Sequence, residues 1–312
     1  MDHDLWDEAF LRKLERLALV SQRRRMGRLS GARRSPKRGS SVEFADYRNY
    51  TAGDDLRQLD WNIYARLEKL FVKLFEEEED LTVHILLDAS RSMDWNSLAV
   101  ARTLEAEGRP ELQTGGKFRY ARRIAAALGY IALSDLDRVY LATLRGAAWQ
   151  RLGPLHGRQR AVSLLNYLER LQAEGDTGLN ASLKSFAGRM RQPGLLYLIS
   201  DLLSPDGCLD GIRALQSAGY EVNVIHLLDP AEVNPQLALT GDLTLRDIET
   251  GQRLDVSIEP GLVASYEEKF ARWRDPIIQF CTRQAIPYLL ATTDVPFEDM
   301  VLHYMRRRGL LS

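Results

Sequence analysis

From residue 81 onward the chain alternates short apolar runs with longer amphipathic ones. LTVHILLD, RVYLATLRG, GLLYLISD, YEVNVIHLL and PYLLAT are apolar or β-branched almost throughout, the pattern of strands buried on both faces. Between them, 117–134, GRQRAVSLLNYLERLQ, TGLNASLKSFAGRM, CLDGIRALQSAG and 262–285 carry apolar positions at helical spacing. Strands of this kind separated by helices predict an α/β fold with a doubly wound, mainly parallel sheet over 81 to about 230. A strand near 287–292 completes it, and a last helix covers 296–308. AAWQRL follows RVYLATLRG closely enough to pair with it as a hairpin. A second hairpin, LTLRDIETGQRLDVSI, sits in an insertion at about 237–260 and turns at Thr250-Gly251-Gln252.

Upstream, Leu5, Trp6, Phe10, Leu14, Leu17 and Leu19 predict a helix over 4–26. GRLSGARRSPKRGSS, 27–41, is rich in Gly, Ser, Pro and Arg and reads as a loop. It opens a separate segment, 27–80, dense in aromatics and charges and containing short strands, LFVKLFE among them. The expected division is therefore 1–26 as an N-terminal helix, 27–80 as a small strand-containing extension, and 81–312 as the α/β domain.

Composition narrows the class. The 312 residues carry a formal charge of −1, with 45% hydrophobic and 27% charged residues, as in a soluble globular protein. No run reaches the roughly 20 apolar residues of a membrane span. MDHDLWDEAF lacks the basic start and apolar core of a signal peptide, so a cytoplasmic location is expected. Cys208 and Cys281 form no CxxC pair and are expected to be buried small residues. None of the five histidines stands in an HxxxH or HExxH spacing. Residues 12–38 hold eleven Lys or Arg and one acid, Glu15. No aromatic residue interleaves with them to stack on bases, so this arm reads as a solvated face and linker rather than a nucleic-acid site.

The chemistry concentrates in HILLDASRSMDWN, 84–96, where an apolar run ends in Asp88 and is followed by Ser90 and Ser92. A second apolar run ends in Asp201, and the loop AEGDTGLN carries Thr177. In open α/β sheets ligands bind beyond the carboxyl ends of the strands. If the strands of Asp88 and Asp201 are neighbours, the three loops converge on one point. Asp88, Ser90, Ser92, Thr177 and Asp201 offer only oxygen donors, which suits Mg²⁺ and not zinc. Taken singly, each piece also fits an ordinary helix cap or turn.

As an ordered set, DxSxS, the later Thr and the later Asp resemble the metal-ion-dependent adhesion site of von Willebrand factor type A domains. The resemblance implies Mg²⁺ or Mn²⁺ held by Asp88, Ser90, Ser92, Thr177 and Asp201, the hydroxyls bonding directly and the carboxylates partly through water. EFADYRNYTAGDDLRQLDWNIYAR resembles the signature of the bacterial domain-of-unknown-function family 58, at Tyr47, Arg48, Tyr50, Gly53, Asp54, Asp55, Arg57, Asp60, Trp61, Ala65 and Arg66. The resemblance to adhesion-type type A domains implies a protein-binding module whose metal is completed by a partner's Asp or Glu. The resemblance to family 58 implies a MoxR-type AAA+ ATPase as partner, in chaperone-like maturation or assembly. The signature itself reads as an ion-pair and Asx-turn network anchored by Trp61, or as a contact surface for a partner or a cover near the metal site.

A different class of function is a Mg²⁺-dependent phosphoryl-transfer hydrolase with Asp88 as nucleophile. That chemistry usually has a second carboxylate two residues on, where this chain has Ser90, and a nearby Lys. No GxxxxGK[ST] phosphate loop is present.

Overall fold

The computed structural model describes residues 8–21, 42–51, 59–77, 81–95, 116–176, 178–235, 241–246, 253–258 and 260–312. The loop expected at 27–41, Thr177 and the turn Thr250-Gly251-Gln252 lie outside the described residues. Two compact units result, one from 1–20 with 81–312 and the other from 21–80.

The larger unit is built on a six-stranded sheet. Its central strand β3 (Thr82–Asp88) is flanked on one side by β6 (Leu195–Ser200), β7 (Glu221–Leu228) and β10 (Tyr288–Thr292). On the other side lie β4 (Arg138–Arg145) and β5 (Ala148–His156). All pairings are parallel except β4 with β5, the hairpin expected from the sequence. Numbered within the sheet, the order is the doubly wound 3-2-1-4-5-6. The order reverses between β3 and β6.

Alternate residues of the central strands feed two separate cores, as the two-residue period of a strand requires. Val83, Ile85 and Leu87 pack with α3 (Lys117–Ser134) and α4 (Ala161–Arg170). Leu86, Leu196 and Leu198 pack on the opposite face with α5 (Leu179–Arg189), α6 (Leu209–Ser217) and α8 (Pro260–Arg283). Cys208 and Cys281 are buried in this second core, as expected. A short helix α7 (Pro230–Val233) follows β7, and β8 (Gly241–Arg246) pairs with β9 (Arg253–Ile258) as the second hairpin.

At the N-terminus, α1 covers Glu8–Leu14, and the described residues that follow, 15–21, are not helical, whereas a helix through 26 was expected. The reason lies in the spacing of the leucines that follow. Leu17 and Leu19 are buried two residues apart, a strand period, and Leu19 forms a bridge with Leu311. At the other end, α9 (Phe297–Asp299) runs into a π-helical turn, Met300–Met305. Phe10 stacks edge-on against Phe297 at 5.3 Å.

In the smaller unit β1 (Val42–Asn49) pairs antiparallel with β2 (Phe71–Glu77). Asp60 caps α2 (Trp61–Leu67) by accepting from the N–H groups of Asn62 and Ile63, and Tyr47 donates to its other oxygen at 3.0 Å. The Asx turn expected in the signature is therefore present. Trp61 is not its apolar anchor, being 61% exposed. Among the described residues of this unit, Leu59 and Val72, bridged to each other, are the buried apolar pair. Asp54, Asp55 and Arg57 lie outside the described residues.

Gly194 marks the tightest approach to the central strand, since a Cβ there would lie 2.0 Å from the Thr82 carbonyl oxygen. Gly194→Ala is expected to destabilise the fold by ~1–3 kcal/mol, as overpacking does. Urea unfolding checks this; an unchanged midpoint would mean that β3 and the start of β6 have room to part.

Candidate metal centre

Parallel pairing of β3 with β6, through Leu87 opposite Ile199, brings the two strand ends to the same edge. Asp88 and Ser200 are the next residues of each strand, and Ser200 Oγ donates to Asp88 Oδ2 at 2.5 Å. Asp88 Oδ1 accepts from the Ser90 N–H at 3.0 Å and from Ser90 Oγ at 2.7 Å. Ser90 is extended (φ −66°, ψ 161°), and a 3₁₀ turn, Arg91–Asp94, follows with Met93 fully buried beneath it. This geometry sets Ser90 Oγ and Ser92 Oγ 3.1 Å apart. Asp88, Ser90 and Ser92 therefore form one connected cluster.

The loop preceding α5 is laced to this cluster. Glu174 N–H donates to Ala89 O at 2.8 Å, Arg91 N–H to Gly175 O at 3.0 Å, and Gly146 N–H to Asp176 O at 2.7 Å. Gly178 lies so close to Gly146 that a Cβ would come within 2.8 Å of its carbonyl. Thr177, flanked by these residues, is outside the described set.

Asp201 is wholly buried at the end of β6. Its Oδ2 accepts from Lys117 Nζ at 2.8 Å and its Oδ1 from the Leu203 N–H at 3.1 Å. Between them Leu202 is held in the left-handed region (φ 56°), a conformation that costs a non-glycine residue energy and tends to persist at functional turns. Lys117 also donates to Glu232 Oε1 at 2.7 Å. Glu232 Oε2 in turn accepts from the Asp229 N–H, closing the capping box of α7. Behind the site, His226 Nε2–H donates to the Asp201 carbonyl at 2.9 Å, and its Nδ1 accepts from Tyr288 at 2.6 Å.

The electrostatics follow from burial. Asp88 is pushed up to about 6, first by desolvation and then by the charge of Asp201, with the hydrogen bonds of Ser200 and Ser90 pulling the other way. Burial disfavours the Lys117 ammonium, but Asp201 and Glu232 outweigh it and hold its pKa above the ordinary value. Burial raises Glu232, partly offset by Lys117. His226 is lowered to about 4 by burial, so it is neutral at pH 7.

Lys117, Ser200 and Glu232 were not among the residues anticipated from sequence. One local sign did exist for Lys117. A lysine at the first position of a helix opposes the helix dipole, so something other than helix stability placed it there.

The donor set fits a hard divalent cation. All side-chain donors at the cluster are oxygens, and the four buried or half-buried charges of Asp88, Asp201, Glu232 and Lys117 sum to minus two. Among the described residues, no three His, Cys, Asp or Glu side chains are placed together to hold a metal ion, so the candidate set depends on hydroxyl oxygens beside its carboxylates.

A doubly wound sheet with DxSxS on its first strand, and Ser-Asp ending the strand across the switch point, has the arrangement of a von Willebrand factor type A-like domain. The chain matches the family described as "Protein of unknown function DUF58" over residues 46–275, and it belongs to that family. It is 26% identical over 315 residues to an uncharacterised protein of Mycobacterium tuberculosis, covering 99% of this chain and 93% of that one. Among solved structures it is similar to an aerotolerance-related membrane protein from Bacteroides fragilis, with a TM-score of 0.40 and 13% identity over 73% of this chain and 99% of that one. It is also similar to a von Willebrand factor type A protein from Catenulispora acidiphila, with a TM-score of 0.35 and 18% identity over 64% of this chain and 42% of that one. The fold is defined by its strand order, not by these distant likenesses. Among the described residues, no helix is long and apolar enough to cross a membrane.

The raised Asp88 pKa has a definite sign in stability. A carboxyl titrating near 3.8 unfolded and about 6 folded contributes stability that is full below pH 4 and lost as pH rises through 6. Asp88→Asn cannot ionise. In chelator-treated protein its stability relative to wild type is therefore expected to rise by ~2 kcal/mol between pH 4 and pH 7. Urea unfolding at the two pH values checks this, and a difference independent of pH would refute it.

Proposed function

We propose that this chain is a non-enzymatic, Mg²⁺- or Mn²⁺-dependent protein-binding module of the cytoplasm. It would act as adaptor for a MoxR-type AAA+ ATPase in chaperone-like maturation or assembly of other proteins. The observation that carries this reading is the cluster of Asp88, Ser90 and Ser92 at the switch point beside Asp201. Type A-like domains commonly serve protein interaction. Asp88, Ser90 and Ser92 would hold the ion, with Thr177 from the adjoining loop and Asp201 completing the set through its remaining lone pairs or water. When bound, the ion supplies a Lewis-acidic coordination position for a partner's Asp or Glu.

The hydrolase alternative has less support. The second carboxylate that such chemistry places two residues after the nucleophile is absent, Ser90 standing there and bonded to Asp88. Lys117, the lysine such chemistry would use, is engaged by two carboxylates.

Titration calorimetry is expected to show Mg²⁺ binding by wild type and none by Asp88→Ala, with the variant still folded by circular dichroism. Equal affinity in both proteins would sink the metal assignment. For the partner, the affinity of nucleotide-free MoxR-type ATPase is expected to fall by about tenfold or more in EDTA, exceeding the loss of an exposed ion pair. Ser90→Ala with Ser92→Ala should weaken it comparably. Identical affinity in EDTA and in Mg²⁺ would move the contact elsewhere on the chain.

A further inference from the structure

Lys117 goes against two local preferences. It opens α3, where the unpaired N–H groups and the helix dipole disfavour a cation. It is also wholly buried, where an ammonium is tolerated only with close partners. Those partners come from two other segments: Asp201 ends β6 and Glu232 lies in α7. Each carboxylate is fixed by its second oxygen, Asp201 by the Leu203 N–H and Glu232 by the Asp229 N–H. The ammonium is thus clamped between two oriented acids, one of which belongs to the candidate metal centre.

Resting on the metal-binding reading above, we propose that Lys117 is the specificity-determining residue of this site. It acts as a built-in counter-cation that weakens the hold on a free divalent ion and keeps the loaded site receptive to an acidic side chain. The charge balance carries this. Asp88, Asp201 and Glu232 with a divalent ion leave one negative charge, which repels an incoming carboxylate. The ammonium brings the sum to zero. Because Asp201 shares its charge with Lys117, it neutralises the ion less, and the ion keeps its attraction for a further anionic ligand. A lysine serving only to brace α3 against α7 would make no difference to carboxylate binding.

The test is titration calorimetry of MgCl₂ into the full chain without any partner. Lys117→Met, similar in volume and uncharged, is expected to bind Mg²⁺ about tenfold or more tightly than wild type. Lys117→Arg should stay close to wild type. Glu232→Gln, which leaves the ammonium wholly to Asp201, should bind several-fold more weakly, the opposite direction. With Mn²⁺-loaded protein, acetate should displace metal-bound water, read as loss of water-proton relaxation enhancement. Lys117→Met should need about tenfold more acetate for the same loss.

If wild type binds no Mg²⁺, the metal reading falls and this inference with it. If wild type binds Mg²⁺, the binding is lost in Asp88→Ala, and folded Lys117→Met binds no more tightly than wild type, this inference alone is overturned. If acetate has the same effect on both proteins, or none on wild type, it is likewise overturned. Should Lys117→Met fail to fold, Glu232→Gln decides: unchanged or tighter Mg²⁺ binding overturns the proposal.

Discussion

The parallel contact between β3 and β6 is the constraint on which the rest depends. Strands paired side by side in one direction end at the same edge, and here they are the two between which the winding of the sheet reverses. The helices that follow them pack on opposite faces of the sheet, and the first residue of α3 reaches back to the edge between them. Asp88 and Ser200 meet there because they are the next residues in register, and Asp201 is one step beyond. Both acids are placed by backbone pairing, before any side-chain preference enters.

Burying two carboxylates at that edge is unfavourable, and the surrounding residues reduce the cost in different ways. Asp88 is met by neutral donors, the hydroxyls of Ser90 and Ser200 and one backbone N–H. Asp201 is met by a full charge, Lys117, which is shared with Glu232. A buried pair of this kind seldom adds net stability over apolar side chains of similar volume. Its value lies in orientation and charge: one acid is left poorly compensated and the other well compensated.

Much of this was legible in the chain. Strands buried on both faces are apolar throughout, so their number, order of appearance and polar ends stood out, including Asp88 and Asp201. Ser90 and Ser92 were legible because they directly follow a strand. Lys117 and Glu232 were not, since they reach the site from segments 84 and 115 residues away in the pairs they form, and no periodicity encodes such a meeting. The first helix was overextended because Phe10, Leu14 and Leu17 fit one helical face, and only the bridge of Leu19 to Leu311 shows the chain leaving it. Trp61 misled for a related reason: a tryptophan beside a capping aspartate looks alike in sequence whether its ring is covered or bare.

The double duty of Glu232 has a kinetic side. One oxygen meets Lys117 and the other closes the start of α7, so a single side chain ties together α3, β6 and the turn after β7. The cap is local, but the two contacts of Lys117 are not, and loop closure must precede both. Until α7 docks, Lys117 and Asp201 lack their third member, and the second oxygen-rich partner of the ammonium is missing. The ionic cluster is therefore complete only in the finished sheet, when all three segments are in place.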